Sequence, residues 1–210
     1  MDKINFKKQP QAFALAVLAG IAIGIGGTVY LSLENKIAGA LMFTVGLYAI
    51  CCHGLNLYTG KAGYMVNQPL SYLADLLTIW AGNLAGTYLA AAAIQQTRIS
   101  GISEKAKALC ATKLDDNMPS LFLLAVFCGL LMFIAVDGYK SVHNPVILFM
   151  GVASFILCGF EHCIADMFYF SLAGMWSGKA FLIILAITAG NSAGSILIPL
   201  AKKIPADTTT

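Results

Sequence analysis

The sequence predicts an all-α membrane protein: six transmembrane helices arranged as two inverted three-helix repeats, with the second and fifth helices broken. Three observations predict it. Of the 210 residues, 59% are hydrophobic and only 11% charged, where a soluble domain carries about 25% charge. Several apolar stretches reach the ~20 residues that a helix needs to cross ~30 Å of hydrocarbon. One motif also occurs twice, AGNLAG at 81–86 and AGNSAG 108 residues later at 189–194, as an internal duplication would leave it.

The first span is 12–33. Lys3, Lys7 and Lys8 precede it as in a secretory signal, but the apolar run continues to Leu33, too long for the core of a cleaved signal. The second, 37–70, is interrupted by HGLNLYTGK (53–61), and the third is 71–94. A polar linker, QQTRISGISEKAKALCATKLDDNM (95–118), leads to the fourth span at 119–136. The fifth, 145–170, is interrupted by CGFEH (158–162), and the sixth is 178–200. One transmembrane domain over 1–210 is therefore expected, with a first repeat 1–94, a linker 95–118 and a second repeat 119–205. The 108-residue offset aligns Leu47 with Phe155. Three crossings per half is an odd number, so the second half is inverted. Broken helices in inverted repeats belong to channels and transporters, where unwound backbone lines a cavity or is buried in protein. Gly82, Gly86, Gly190 and Gly194, spaced as GxxxG, allow close helix approach within the bundle or between subunits. Lys and Arg divide evenly between the two sides. The basic termini alone place both ends in the cytoplasm, for a multi-pass protein of the cell inner membrane.

The same composition excludes other classes. The formal charge is only +3 and the basic residues are scattered, so the partner is the lipid bilayer and not nucleic acid. The six cysteines form no CxxC pair and do not alternate with histidine at ligand spacing, so no metal or cofactor is expected. No nucleophile stands with a base and an orienting acid, which argues against an enzyme. A haem-ligating redox subunit would use two of His53, His143 and His162 facing each other. A neutral-solute channel could use the Asn–Pro pair in HNPV (143–146), which has no counterpart in the first half.

The interruptions carry the chemistry. An ionisable group at membrane depth costs about 3 kcal/mol at a span's centre, so it is kept for a partner or a pathway. His162 offers an N–H donor in either charge state and could hydrogen-bond a dehydrated anion or hand it a proton. The bland reading is that it satisfies Glu161 or a carbonyl freed by the break. Glu161, on another face, is expected to tie down freed N–H groups, and Asp166 to do the same or pair with a lysine. In the first break Thr59 supplies a hydroxyl, Gly60 a hinge and Leu57 an apolar plug. Lys61 either snorkels to the headgroups or adds positive potential at a pore mouth. Half-helix N-termini favour an anion between them. Phe43, Leu47, Leu57 and Phe155 would narrow the path, gating by dewetting.

GFEHCIADMF (159–168) resembles the GFEH-x-IANMF signature of the formate/nitrite transporters, departing at Asp166, where that family usually has asparagine. WAGNLAG (80–86) resembles its W-x-GN-x-x-G element, and LYTG (57–60) its L-F-T-G or L-F-T-S loop. The resemblance covers nearly the whole chain. It implies a homopentamer of six-helix, aquaporin-like protomers, each with its own pore for small monovalent anions such as formate, nitrite and hydrosulfide, proton-coupled in some members. By position it implies that His162 is the central histidine, Thr59 the loop threonine, and Leu47, Leu57, Phe155 and Phe43 the constriction. Three features depart from formate-type members: Asn56 where an acid is frequent, Lys61 in place of a small polar residue, and short termini. Within the family the chain is most similar overall to the hydrosulfide channels.

Overall fold

The computed structural model describes residues 9–205. Lys3, Lys7 and Lys8, on which the expectation of a cytoplasmic N-terminus rests, lie outside the described residues. The chain is all-α: α1 (Gln9–Ser32), α2 (Lys36–His53), α3 (Tyr72–Gln95), α4 (Ser103–Asp115), α5 (Met118–Val142), α6 (Val146–Leu157), α7 (Cys163–Ala173) and α8 (Gly178–Ala201). Of these, α1, α2, α3, α5 and α8 are long and apolar enough to cross a membrane. The expected fifth span is made by α6 and α7 in succession. At 12 and 11 residues and ~1.5 Å of rise per residue, each reaches only about halfway across.

Both breaks are built the same way. At Gly54 (φ 62°) and Gly159 (φ 70°) the chain turns through the left-handed region that glycine enters without strain. The next N–H then reaches back into the helix, Leu55 to the Ile50 carbonyl at 3.0 Å and Phe160 to the Phe155 carbonyl at 2.9 Å. Position by position the breaks are thus 105 residues apart, three fewer than the AGN motifs. This corrects the alignment of Leu47 with Phe155: the counterpart of Phe155 is Ile50, and that of His162 is Leu57. The three extra residues of the second half lie after its break, where α7 is a full helix. The first half has only a six-residue 3-10 stretch there, Ala62–Asn67.

α1 packs chiefly on α3, and α5 on α8. The GxxxG glycines work inside this bundle: a side chain at Gly86 would collide with the Val17 carbonyl of α1, and one at Gly194 with the Val126 carbonyl of α5. Trp80 on α3 donates to Thr188 on α8 (3.0 Å), tying together two positions 108 apart. The linker is more than the polar tether its composition suggests. Within it α4 buries Ala106 and Cys110, packs against α7 and bonds Lys105 to Glu34 in the α1–α2 turn (2.8 Å). That ammonium, by hydrogen bond first and charge second, holds Glu34 below the usual carboxylate range. The outer faces stay apolar: Leu18, Ile25, Leu77, Leu123, Phe127 and Leu182 are all exposed, the pattern of helices solvated by lipid or by neighbouring apolar helices.

Candidate functional site

A broken helix frees backbone groups that the bilayer cannot satisfy. Two buried asparagines, one from each AGN motif, take them up. Asn83 accepts from the Tyr58 N–H (2.9 Å) and donates to the carbonyls of Ala16 and Asn56 (both 2.8 Å). Asn191 accepts from the Cys163 N–H (2.9 Å) and donates to those of Ala125 and Glu161 (both 2.8 Å). Each amide clamps a break to the helix beside it with both N–H groups used. Sequence reading took AGN as a mark of duplication and missed this role; the signal was an amide recurring at membrane depth.

His162 sits at the N-cap of α7, where its Nδ1 accepts the Ala165 N–H at 3.1 Å. An accepting Nδ1 carries no proton, so the geometry assigns the neutral tautomer with its hydrogen on Nε2. That nitrogen meets Thr59 Oγ1 at 2.9 Å, with Thr59 0% and His162 2% exposed. One hydrogen bond therefore joins the two breaks, 103 residues apart in sequence. With its oxygen accepting from His162, the Thr59 hydroxyl keeps its own hydrogen to donate.

Phe155 stacks on the imidazole (centroids 5.5 Å apart, 19° between planes), and Phe43 meets Phe155 edge-on at 6.1 Å. Leu47 and Leu57 are 1% exposed. They line a cavity of about 90 Å³ together with Lys61 and Lys140. A second cavity, of about 80 Å³, is lined by Phe155, His162, Lys113 and Asp166. The two share no lining residue. Leu57, Gly60 and Lys61, neighbours of Thr59 in the chain, wall the first cavity, and His162 walls the second. Lys61 is half-buried in the wall of the first cavity, which Lys140 also lines. His53 and His143 are exposed at the ends of α2 and α5, while His162 is buried.

Glu161 corrects its expectation. Among the described residues its carboxylate ties down no freed N–H. It pairs instead with Lys113 of α4, which also reaches Asp166 Oδ1 at 3.0 Å. Burial alone would lower the Lys113 ammonium, but the charges of Asp166 and Glu161 override that and raise it above its ordinary value. The lysine foreseen as a partner for Asp166 thus comes from the linker, where nothing in its polar composition distinguishes it from Lys105 or Lys107.

Residues 1–202 match the family model described as "Formate/nitrite transporter". The chain is 25% identical over 194 residues to the formate channel FocB of Escherichia coli, covering 80% of this chain and 68% of that protein. It is 22% identical over 182 residues to the formate channel FocA of Haemophilus influenzae, covering 75% and 64%. The chain thus spans about two thirds of these relatives' length. In three dimensions it is similar to a solved pentameric formate channel with formate bound (TM-score 0.79, 23% identity, 94% of this chain and 97% of that one). That likeness is one of fold.

Proposed function

The chain belongs to the formate/nitrite transporter family, a membrane transport family and not an enzyme family. From that premise we propose that it is a channel for small monovalent anions whose selective step is the Thr59–His162 contact. The observation that carries the reading is that bond: two polar side chains, one from each helix break, buried among apolar rings and bonded to each other.

An anion drawn toward Lys61 and Lys140 sheds water against Leu47 and Leu57. At the bond, Thr59 and His162 exchange their mutual contact for two donor contacts to the anion, Oγ1–H and Nε2–H. The α7 N-terminus adds partial positive charge, and Phe155 and Phe43 keep the path narrow and dry. Because Nδ1 is engaged as the α7 cap, His162 serves as a hydrogen-bond donor and not as a proton donor.

The anion we assign is hydrosulfide, on the overall similarity of the sequence to the hydrosulfide channels, with formate and nitrite also carried. A formate or nitrite transporter with proton coupling is the second reading, favoured by the names of the relatives. The working assembly is a homopentamer in the cell inner membrane with cytoplasmic termini. Each protomer is a single domain of two inverted repeats, 1–94 and 119–205, joined by 95–118.

Flux into proteoliposomes tests this, comparing hydrosulfide, formate, nitrite and chloride at two pH values against protein-free vesicles. Preference for hydrosulfide supports the first reading, and preference for formate or nitrite with proton co-movement the second. No anion flux above the empty vesicles removes both.

A further inference from the structure

One ammonium and two carboxyl groups meet beside the pore histidine. The side chains of Lys113, Glu161 and Asp166 are 12%, 8% and 2% exposed. Asp166 Oδ1 lies 3.0 Å from Lys113 Nζ, and Glu161 is bonded to the same nitrogen. Among the described residues Asp166 Oδ2 is buried with no hydrogen-bond partner, and Asp166 lines the cavity of about 80 Å³ that it shares with His162.

The charges do not balance. Fully ionised, the cluster would bury one uncompensated negative charge, which proteins avoid by pairing it or by neutralising it with a proton. Among the described residues, the groups around Asp166 bring no second cation. α4 contributes Cys110, α5 Cys128, α1 Tyr30, and α7 itself Cys163 and Tyr169. The titratable groups of α3 are Tyr72 and Asp75 in its first turn and the exposed Tyr88; that of α8 is the exposed Lys179. His162 has its Nδ1 committed to Ala165 and its Nε2 to Thr59. With asparagine at 166, one ammonium would face one carboxylate and the sum would be zero. Aspartate at this position adds the unmatched charge.

We propose that Asp166 carries a proton at neutral pH beside the Lys113–Glu161 ion pair, and that its Oδ2 is the exchangeable position of this proton-holding site. When the proton leaves, the O–H bond at Oδ2 breaks and a new one forms on the water or weak-acid anion occupying the adjacent cavity. The cluster passes from net charge zero to minus one and is restored by the reverse transfer. Its link to transport rests on the anion-channel reading, for which it supplies the proton that His162 does not; the proton on Asp166 is itself independent of that reading.

Infrared spectroscopy of the purified protein tests it without any flux. Wild type at neutral pH is expected to show a protonated-carboxyl C=O band that shifts in heavy water. The band is expected to vanish in Asp166→Asn and also in Glu161→Gln, each of which leaves one carboxylate on one ammonium. A wild-type spectrum without the band overturns the proposal, even if neither variant folds, and so does a band that persists in both folded variants. Failed anion flux with the band present would remove the channel reading and leave the proton on Asp166 standing.

Discussion

His162 holds two positions at once, cap of α7 and donor toward Thr59, and substitutions separate them. Asparagine is itself a good N-cap and offers an N–H, so His162→Asn should fold and keep flux within about tenfold, roughly the worth of one altered hydrogen bond. Its pH profile should match that of wild type. A titration step near neutral pH that disappears in the variant would mean that the ring takes up charge, and the fixed tautomer would be wrong. Thr59→Val keeps the shape and deletes the hydroxyl. It should lower flux about 5- to 10-fold, for a loss of ~1–1.5 kcal/mol, and cost ~1–3 kcal/mol of stability because the buried His162 Nε2–H loses its partner; undiminished flux would take Thr59 out of the path. These two residues were legible in the sequence because a histidine and a threonine–glycine pair interrupt otherwise apolar runs. Lys113 was not, because its role depends on where α4 docks, and docking is a tertiary fact that local polarity does not encode.

The breaks depend on the asparagine clamps at least as much as on their own residues. Asn191→Ala would leave the Cys163 N–H and the carbonyls of Ala125 and Glu161 without their partner, at ~1–3 kcal/mol for each buried group. A loss of several kcal/mol is expected as earlier thermal unfolding in detergent, while Lys179→Gln, at the exposed start of the same helix, should unfold close to wild type. Equal behaviour of the two variants would show that water or relaxation replaces the clamp. Both interrupted elements were legible as interruptions, since polar residues and glycine cut two apolar runs. Their register was not. The AGN offset of 108 holds for α3 and α8, but the breaks correspond at 105, because one half continues as helix and the other as 3-10 turns. A repeated motif fixes the alignment only of the element that carries it.

As a whole the chain was legible as a membrane protein from composition alone, and the structure adds a potential to that outline. Lys61 and Lys140 share the first cavity, so Lys61→Gln should reduce anion flux several-fold at low ionic strength. It should approach wild type at high salt, as the screening length shrinks from ~30 Å at 0.01 M to ~3 Å at 1 M. A deficit that does not change with salt would place Lys61 in direct contact with the anion. The two halves also differ in stiffness. Past its break the second half runs on as α7, all eleven residues of it buried, whereas the first half continues in a 3-10 stretch, in which only Ala62 and Gly63 are buried. Hydrogen-bond geometry is poorer in 3-10 turns, and segments with fewer buried contacts open at lower free energy. If the Thr59–His162 bond opens for each passing anion, the two sides do not part symmetrically. The threonine side swings and the histidine side stays. Amide hydrogen exchange should record this as rapid exchange across 60–67, beyond the Asn83 clamp on Tyr58, against lasting protection across 163–173, a door hung on one post.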